Sequence, residues 1–350
     1  MKISKLLALS PLASLVVAGP AWYDWSRSSR TIQSTGLVGY AFDNPIGPTT
    51  GGSSGKTITV TSDDALVAEL SDRSSPKTIL LDGTFHPTAR LRIGSNVSLI
   101  GKGNGANIIG QGINVNNVAN VIIRNIGIRF VVDNDGMTIQ NSTRVWVDHC
   151  EFESELSVEL GPNYYDGQLD IVRASDWITI SYNYFHDHWK SSLIGNSDTL
   201  RNVDEGTLHV TYHHNFWSNI GTRGPAGRFG HQHIYNNLYE NFLYQAIHSR
   251  SDNQVLVEGN VFKGNTRTAL TTYGLVIPED SPNTCVCGDE ELDGFANLGA
   301  ENDFGGADVN ITQVGNFTDP GYEYTLEPLK SVEKTIRSNV GLGKVDVDDC

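Results

Sequence analysis

Residues 210–217 read Val-Thr-Tyr-His-His-Asn-Phe-Trp, a short strand-like run that ends on an asparagine and two aromatic residues. The same template starts again at residues 121, 145, 178, 232 and 255, so successive copies lie 24, 33, 32, 22 and 23 residues apart. When the copies are aligned on their starts, asparagine fills one column at Asn183, Asn215, Asn237 and Asn260. Short strands that recur at a nearly fixed period, with a polar amide at a fixed turn position, predict a stacked solenoid.

The constant register of these copies decides between two all-β architectures. A β-sandwich also contains many short strands, but it does not place asparagine at one template position four times. Stacked asparagine side chains can hydrogen-bond to one another and to the turn backbone of a coil. We therefore predict an all-β fold, a right-handed parallel β-helix. The two longer intervals carry about ten extra residues each, and we expect these insertions to form long loops on one face, where binding sites are commonly built.

The ends of the chain follow a different pattern from the repeats. Ser62 followed by Asp63 and Asp64 predicts the start of a helix near residues 62–74, which we expect to cap the N-terminal end of the solenoid. Residues 19–55 are rich in Ser, Thr and Gly and predict an irregular lead-in. Residues 56–350 are predicted to form a single β-helix domain, with the less periodic stretch after about residue 280 packed outside as loops.

Export is predicted from the first residues. Lys2 and Lys5 precede an apolar run that is too short to span a membrane, and the small residues near Ala18 suit cleavage of a signal peptide at 1–18. We therefore expect a secreted, extracellular protein with no membrane partner, and a monomer. Four sequons, at Asn96, Asn141, Asn310 and Asn316, are compatible with glycosylation.

The four cysteines allow three full pairings in an exported protein. Cys150 lies in a strand-like run and is predicted to be a buried free thiol. This leaves one disulfide among Cys285, Cys287 and Cys350.

The overall charge excludes one class of partner. The 350 residues include 40 acidic and only 25 basic side chains, a net charge of −15. Sequence-independent binding of nucleic acid requires the opposite balance, so we expect no nucleic-acid partner. An acidic ligand would need a local basic cluster or a bridging cation.

The densest group of chemically useful residues lies between residues 133 and 228. Asp135, Asp166 and Asp170, with Asp133 beside them, come first, and several aspartate oxygens describe a site for a hard cation, with Ca²⁺ favoured. The alternative is that these aspartates only cap turns.

Three basic residues follow on later coils, and they call for an anion. Lys190 comes first, and Arg223 and Arg228 bracket a Gly-Pro turn that fixes where the guanidinium groups point. Surface solubility and a plain salt-bridge network are the alternatives.

Histidine pairs suggest another kind of site. His186 with His188, and His231 with His233, place two imidazoles on one strand face, as some transition-metal sites do. Their recurring template positions favour ladder stacking and turn hydrogen bonds instead.

In these motifs the chain resembles the pectate lyases of polysaccharide lyase family 1, most of all the secreted fungal members. The resemblance lies in Val-Trp-Val-Asp-His at 145–149, in Asp166 and Asp170, in Lys190 before Ser-Ser-Leu-Ile-Gly, and in Arg-x-Pro-x-x-Arg at 223–228. It implies calcium-dependent β-elimination on polygalacturonate (pectin). Asp135, Asp166 and Asp170 would be the calcium ligands, and Asp133 an accessory acid. The family often carries glutamate at the position of Asp166, so the reach of this ligand is shorter here.

The resemblance also implies that Arg223 is the base, and that Lys190 and Arg228 bind the substrate carboxylate. The base would remove the proton on C5, which is weakly acidic while the neighbouring carboxylate stays negative. Positive charge from Ca²⁺, Lys190 and Arg228 is expected to lower the pKa of Arg223 and to give an alkaline activity optimum.

Three other functions remain alternatives. A pectin lyase would act on methylated polymer without metal, but it would be expected to lack Asp166 and Asp170. A β-helical glycoside hydrolase would use the aspartates as acid and base, and it leaves Lys190, Arg223 and Arg228 without a role. A non-catalytic polysaccharide-binding protein would tolerate replacement of Arg223.

Overall fold

The computed structural model describes residues 36–281 and 287–345. In this part of the chain, short strands follow one another around a right-handed parallel β-helix, which confirms the predicted all-β class. In chain order the strands are β1 (Lys56–Val60), β2 (Lys77–Leu81), β3 (Thr84–Phe85), β4 (Leu91–Ile93), β5 (Val97–Gly101), β6 (Ala106–Ile109), β7 (Ile113–Asn116), β8 (Ala119–Arg124), β9 (Ile126–Arg129), β10 (Met137–Gln140), β11 (Thr143–Asp148), β12 (Glu151–Glu153), β13 (Leu169–Val172), β14 (Asp176–Ser181), β15 (Tyr184–Lys190), β16 (Leu193–Ile194), β17 (His209–His213), β18 (Phe216–Thr222), β19 (Ala226–Arg228), β20 (His231–Tyr235), β21 (Leu238–Phe242), β22 (Gln245–Arg250), β23 (Gln254–Glu258), β24 (Val261–Lys263), β25 (Thr268–Thr271), β26 (Leu275–Val276), β27 (Asp289–Glu290), β28 (Phe295–Leu298) and β29 (Asp308–Asn310). The helices are α1 (Asp63–Ser71), α2 (Arg201–Asp204), preceded by a 3₁₀ turn at Asp198–Leu200, and α3 (Leu329–Asn339).

Three sheets run along the axis of the solenoid. The ten-stranded sheet has the order β1-β2-β5-β8-β11-β14-β17-β20-β23-β28, and the eight-stranded sheet has the order β24-β21-β18-β15-β12-β9-β6-β3. The nine-stranded sheet has the order β29-β25-β22-β19-β16-β13-β10-β7-β4. Each sheet takes one strand from each coil, and residues far apart in sequence therefore become neighbours on one face.

The register of the repeats agrees with the sequence template. Each predicted start pairs with the next across the ten-stranded sheet, in the series Val121, Val145, Ile178, Val210, Gln232 and Val255. The period of the sequence thus equals the length of one coil plus its loops, and the prediction is confirmed residue by residue.

The asparagine column forms a continuous ladder. Asn183 Nδ2 donates to Asn215 Oδ1 at 3.0 Å, Asn215 Nδ2 to Asn237 Oδ1 at 3.1 Å, and Asn237 Nδ2 to Asn260 Oδ1 at 3.0 Å. Asn260 donates in turn to Asn302 at 3.0 Å, one step beyond the predicted column. Because these amides are buried, the ladder satisfies polar groups that would otherwise destabilise the turns.

Aliphatic and aromatic side chains fill the interior of the coils in columns. Phe152, Phe185, Trp217, Tyr239 and Phe262 stack in succession, with ring centroids 4.9, 5.1, 4.8 and 4.5 Å apart. Each ring comes from the same position of its coil, so the pairing that aligns the strands also brings the rings into contact.

The predicted capping helix is confirmed as α1. Ser62 is its N-cap, and its side chain accepts a hydrogen bond from the Ala65 amide at 3.4 Å. Leu66 and Leu70 are buried in the same apolar cluster as the first coils, so the helix closes the N-terminal end of the core.

The expectation of outer loops after residue 280 is wrong in part. β28 adds a tenth strand to the ten-stranded sheet and β29 extends the nine-stranded sheet, so the solenoid continues. The interval from Val255 to its partner Ala296 is longer than any earlier one. The period of the sequence repeats therefore did not predict this last coil. Helix α3 packs outside the coils, with Val332 and Ile336 buried on the eight-stranded sheet.

Part of the predicted lead-in, residues 36–55, lies across the ten-stranded sheet. Its backbone amides donate to side chains of several coils, among them Ala41 N to Thr179 Oγ1 at 3.1 Å and Gly52 N to Ser98 Oγ at 2.9 Å. The predicted signal peptide at 1–18 lies outside the described residues. No helix in the described ranges is both long and apolar enough to cross a membrane.

The cysteine predictions fare differently. Cys150 is a buried free thiol, as predicted, and Cys287 is exposed and unbridged. Cys285 and Cys350 lie outside the described residues, so the predicted disulfide stays a prediction.

Candidate active site

The nine-stranded sheet and the loops beside it position the candidate residues. Asp170 lies on β13, and Asp135 lies in the turn that leads into β10, the neighbouring strand. Asp166 lies in the loop before β13, where Gly167 forms a bridge with Lys190 at the end of β15. Coiling therefore brings together aspartates that are 31 and 4 residues apart in the sequence.

Each of the three aspartates has a different set of contacts. Asp135 accepts hydrogen bonds from Thr138 Oγ1 at 2.5 Å and from the Gly167 amide at 3.1 Å. Asp170 is 9% exposed and accepts one from the Leu193 amide at 3.1 Å. Asp166 is more exposed.

Hydrogen bonds and strand pairing place the three carboxylates in one environment: Asp135 binds the Gly167 amide next to Asp166, and its other partner, Thr138, pairs in register with Asp170. Burial raises the pKa of Asp170 well above its usual value, and the charge of Asp135, with a smaller contribution from Asp166, raises it further. Burial also raises the pKa of Asp135, with a contribution from Asp166. The ionised forms of Asp135 and Asp170 are thus unfavourable in this environment, and a bound cation would favour them.

The carboxylate oxygens of the three aspartates are not arranged around one common point. Among the described residues, Asp135, Asp166 and Asp170 are not a group whose ligand atoms all lie within 4.8 Å of one another. The Lys190 ammonium holds Asp166 Oδ1 at 3.0 Å, and Thr138 holds Asp135, so both side chains already have partners. The donor set, oxygen atoms of negative charge, fits Ca²⁺, and side-chain rotation would be needed to assemble it.

One other group does converge. Glu151, Glu153 and His186 place ligand atoms within 4.8 Å of one another on the eight-stranded sheet. Arg129 pairs with both glutamates there, with 2.8 Å from its Nη2 to Glu151 Oε1. A cation of the chain therefore already occupies the space between these two carboxylates and offsets part of their charge. In the other histidine pair, His231 stacks on His209 with ring centroids 5.4 Å apart. This agrees with the interpretation that these histidines form stacked ladders.

The predicted substrate-binding cations are buried and partnered. Lys190 is 2% exposed, and its Nζ donates to Asn163 Oδ1 at 3.2 Å as well as to Asp166. Arg228 donates from Nη1 to the Gly195 carbonyl at 2.7 Å, and from Nε and Nη2 to Glu291 at 2.8 and 2.6 Å. These contacts fix the direction in which both cations point.

Arg223 lies in the turn between β18 and β19 and pairs with Asp280. Its Nε donates to Asp280 Oδ1 at 2.8 Å, and its Nη2 donates to the Asp280 carbonyl. Burial lowers the pKa of Arg223, but Asp280 and then Asp170 outweigh this, so its pKa is raised. The direction is opposite to the one expected from the sequence, because Asp280 was not foreseen. Backbone contacts nevertheless place Arg223 beside the aspartate group, because the Ser192 amide donates to the Arg223 carbonyl at 2.8 Å and the next amide, Leu193, donates to Asp170 Oδ1 at 3.1 Å.

Four further residues belong to this site and were missed. Asp280 also accepts from Arg250 Nη1 at 2.8 Å, and Glu291 binds Arg228. Arg90 donates from Nη2 to Thr138 Oγ1 at 2.7 Å, beside the aspartates. Arg250 could have been predicted from the sequence, because it follows Arg228 by about one repeat and the two residues pair in register. Asp280 and Glu291 follow the last regular repeat, so no sequence pattern predicted their place in the site.

The remaining predicted residue lies at the edge of this group. Asp133 is exposed, has φ 55°, and its amide donates to the Tyr164 carbonyl at 3.0 Å. It is thus placed at the rim rather than among the buried carboxylates.

Comparison with known proteins gives this geometry a family. The family model described as pectate lyase matches residues 8–345. Probable pectate lyase B of Aspergillus flavus is 38% identical over 298 residues, covering 84% of this chain and 88% of the relative. Pectate lyase A of Aspergillus niger is 37% identical over 319 residues, covering 90% of each. A pectate lyase from Bacillus sp. N165, solved in complex with trigalacturonate, is 26% identical with a TM-score of 0.74, covering 89% of this chain and all of that one.

The parallel β-helix carries buried carboxylates and arginines on one long face. Together with these relatives, this fold and site define a polysaccharide lyase. The chain belongs to the pectate lyases of polysaccharide lyase family 1. The family resemblance read from residues 145–228 is thereby confirmed.

Proposed function

We propose that this enzyme is a secreted, calcium-dependent pectate lyase that cleaves (1→4)-α-D-galacturonan by β-elimination. Its products would be 4,5-unsaturated oligogalacturonates, and its biological effect the degradation of pectin in plant cell walls. The observation that carries the proposal is the juxtaposition of Arg223 and Asp170, which are joined through the adjacent amides of Ser192 and Leu193, with the Lys190–Asp166 ion pair beside them. The trigalacturonate bound to the Bacillus sp. N165 relative supports the substrate class.

Calcium would be held by Asp135, Asp166 and Asp170. When bound, Ca²⁺ supplies positive charge that stabilises the negative charge developing on the substrate carboxylate. Lys190 and Arg228 would contribute the same kind of charge from the protein, and their buried, fixed positions avoid reorganisation during the reaction.

The contacts of Arg223 indicate which of its nitrogens would receive the C5 proton. Nε and Nη2 are both engaged by Asp280, whereas Nη1 donates to no partner within the described ranges. Nη1 is thus the nitrogen that would face the sugar. Asp280 orients the guanidinium but opposes its deprotonation, so the positive charges on the opposite side must outweigh it before Arg223 can act as a base.

The test is the formation of unsaturated product from polygalacturonate, followed by ultraviolet absorbance. We expect activity with Ca²⁺, its loss with a chelator, and its return when Ca²⁺ is added back. Activity on methylated pectin that survives chelation would favour the pectin lyase alternative. New reducing ends without ultraviolet absorbance would favour a glycoside hydrolase.

A substitution of Arg223 tests the assignment of the base. Arg223→Ala should lower kcat by about 10²–10⁴, the usual contribution of general acid–base catalysis. Lys334→Ala, an exposed position on α3, is the matched control and should retain the wild-type rate. Full activity of Arg223→Ala would overturn the assignment.

A further inference from the structure

The outward row of the nine-stranded sheet continues beyond the active site. Thr138 pairs with Asp170, Asn114 pairs with Thr138, and Arg92 on β4 pairs with Asn114. At about 4.8 Å per strand step, Arg92 lies about 14 Å from Asp170 along the same face. A polymer that lies along this face would therefore reach Arg92.

A polar cavity of about 500 Å³ opens at this end of the sheet. Arg73, Arg92, Ser95, Asn114 and Asn116 are among the residues that line it, and none of the described lining residues is acidic. The cavity is thus basic in a chain whose net charge is −15.

Two polar groups of this cavity lack partners within the described ranges. Arg92 is exposed and forms no ion pair or side-chain hydrogen bond there. Asn114 Oδ1 is buried and accepts no hydrogen bond. The guanidinium of Arg92 is therefore free to bind an anion that enters the cavity, and the chain does not use the full hydrogen-bonding capacity of Asn114.

Arg73 is the second cation of the cavity, and backbone carbonyls hold it in place. Its Nη2 donates to the Asn116 carbonyl at 3.2 Å and to the Ile93 carbonyl at 3.4 Å, across the ends of β7 and β4. The guanidinium is thus held beside Arg92 and Asn114 by backbone groups rather than by a carboxylate, and its positive charge is not neutralised by these contacts.

We propose that this cavity is a distal subsite that binds the carboxylate of a galacturonate unit remote from the cleaved bond. The inference rests on the proposed function. Arg92 and Arg73 would bind the carboxylate, for which guanidinium is well suited, and Asn114, which lines the cavity with them, adds a polar side chain to it. The consequence is a preference for longer oligogalacturonates, because only these reach from the active site to the cavity.

The experiment compares Arg92→Ala with the wild type on oligogalacturonates of defined length. The ratio of kcat/KM for the longest oligomer to that for the shortest one cleaved should fall about tenfold, as expected for loss of a charge-assisted contact at a partly solvated site. Most of the change should appear in KM. Lys334→Ala removes an exposed cation on α3, away from this sheet, and should keep the wild-type ratio.

The outcomes separate the subsite from the function on which it rests. If the wild type forms no unsaturated product with Ca²⁺, the proposed function fails. If the wild type is active and Arg92→Ala keeps the same length ratio, only the subsite proposal fails. An equal rise in KM for short and long oligomers would also overturn it, because the effect would then be a general loss of positive charge.

Discussion

The ion pairs of Asp280 are the clearest example of a single residue that organises the site. Its side chain is fully buried and contacts Arg223 and Arg250. Burial alone would raise the pKa of Asp280, but Arg250 and Arg223 outweigh it and hold this pKa well below its usual value. Burial lowers the pKa of Arg250 to about 10, helped by the charge of Arg228. The carboxylate thus stabilises a cluster of cations that would otherwise repel one another.

Replacement of Asp280 should therefore be costly. Asp280→Asn leaves Arg223 buried without its counter-ion and Arg250 with Glu291 alone, and we expect the free energy of unfolding to fall by about 3–5 kcal/mol. Asp308→Asn, an exposed aspartate on β29, is the control and should change it by less than about 0.5 kcal/mol. Urea unfolding measures both, and equal effects would contradict the role given to Asp280.

The raised pKa of Arg223 gives the pH dependence of activity a direction. A base must lose its proton to act, and the deprotonated fraction of Arg223 rises about tenfold per pH unit below its pKa. We expect kcat/KM on polygalacturonate to rise from pH 7 toward pH 9 or beyond, at saturating Ca²⁺. A maximum near pH 5 with loss of activity by pH 9 would contradict Arg223 as the base.

At the scale of an element, the asparagine ladder should show an effect that depends on position. Asn215 lies inside the ladder, donating to Asn237 and the Ile180 carbonyl, and its oxygen accepts from the Asn183 amide. Asn215→Leu leaves several buried groups unpaired, at about 1–3 kcal/mol for each. Asn302→Leu, at the half-buried end, should cost clearly less. Equal losses in urea unfolding would show that the ladder does not act as a unit.

A group of buried histidines on β17, directly after it and on β20 predicts that the protein is sensitive to acid. Burial lowers the pKa of His214 to about 4, and burial also lowers the pKa values of His213 and His233, with neighbouring histidines adding to the effect at His213. The unfolded chain then binds protons near pH 6.5 that the folded chain does not. Stability should fall as pH drops from about 6.5 to about 4, by up to about 1.4 kcal/mol per pH unit for each histidine.

Variants of these histidines test the linkage. His213→Phe keeps a ring that can stack on Tyr235 and removes one titrating group, so the slope of unfolding free energy against pH should decrease by about one proton. Val158→Phe, at an exposed position without a titrating group, is the control and should leave the slope unchanged. An unaltered slope in His213→Phe would contradict the interpretation.

At the scale of the whole molecule, calcium should bind the folded chain and not the unfolded one. Asp135 comes from one coil and Asp166 and Asp170 from the next, so no local segment carries all three proposed ligands. At a Ca²⁺ concentration 100 times the Kd, the folded state should gain about 2.7 kcal/mol. Thermal unfolding with Ca²⁺, with Mg²⁺ and with a chelator measures this. Asp170→Asn should abolish the Ca²⁺ effect, and a Ca²⁺ shift that persists in this variant would place the ion elsewhere.

The sequence by itself determined the solenoid. The strand period, the asparagine column and the Ser62 cap are local patterns in the sequence. Because each coil repeats the contacts of its neighbour, a pattern recognised in one coil predicts the structure of the others. The residue types of the site, from Asp135 to Arg228, were also readable, because their motifs lie within the regular coils.

The tertiary structure alone decided which charges meet. Asp280 and Glu291 enter the site after the period has broken, and the last coil with Asn302 lies beyond an interval that no repeat predicts. Arg73 and Arg92 line one cavity with Asn114 only because stacking aligns their strands. Coulomb interactions depend on distance in space, and the sequence fixes that distance only where the coil is regular.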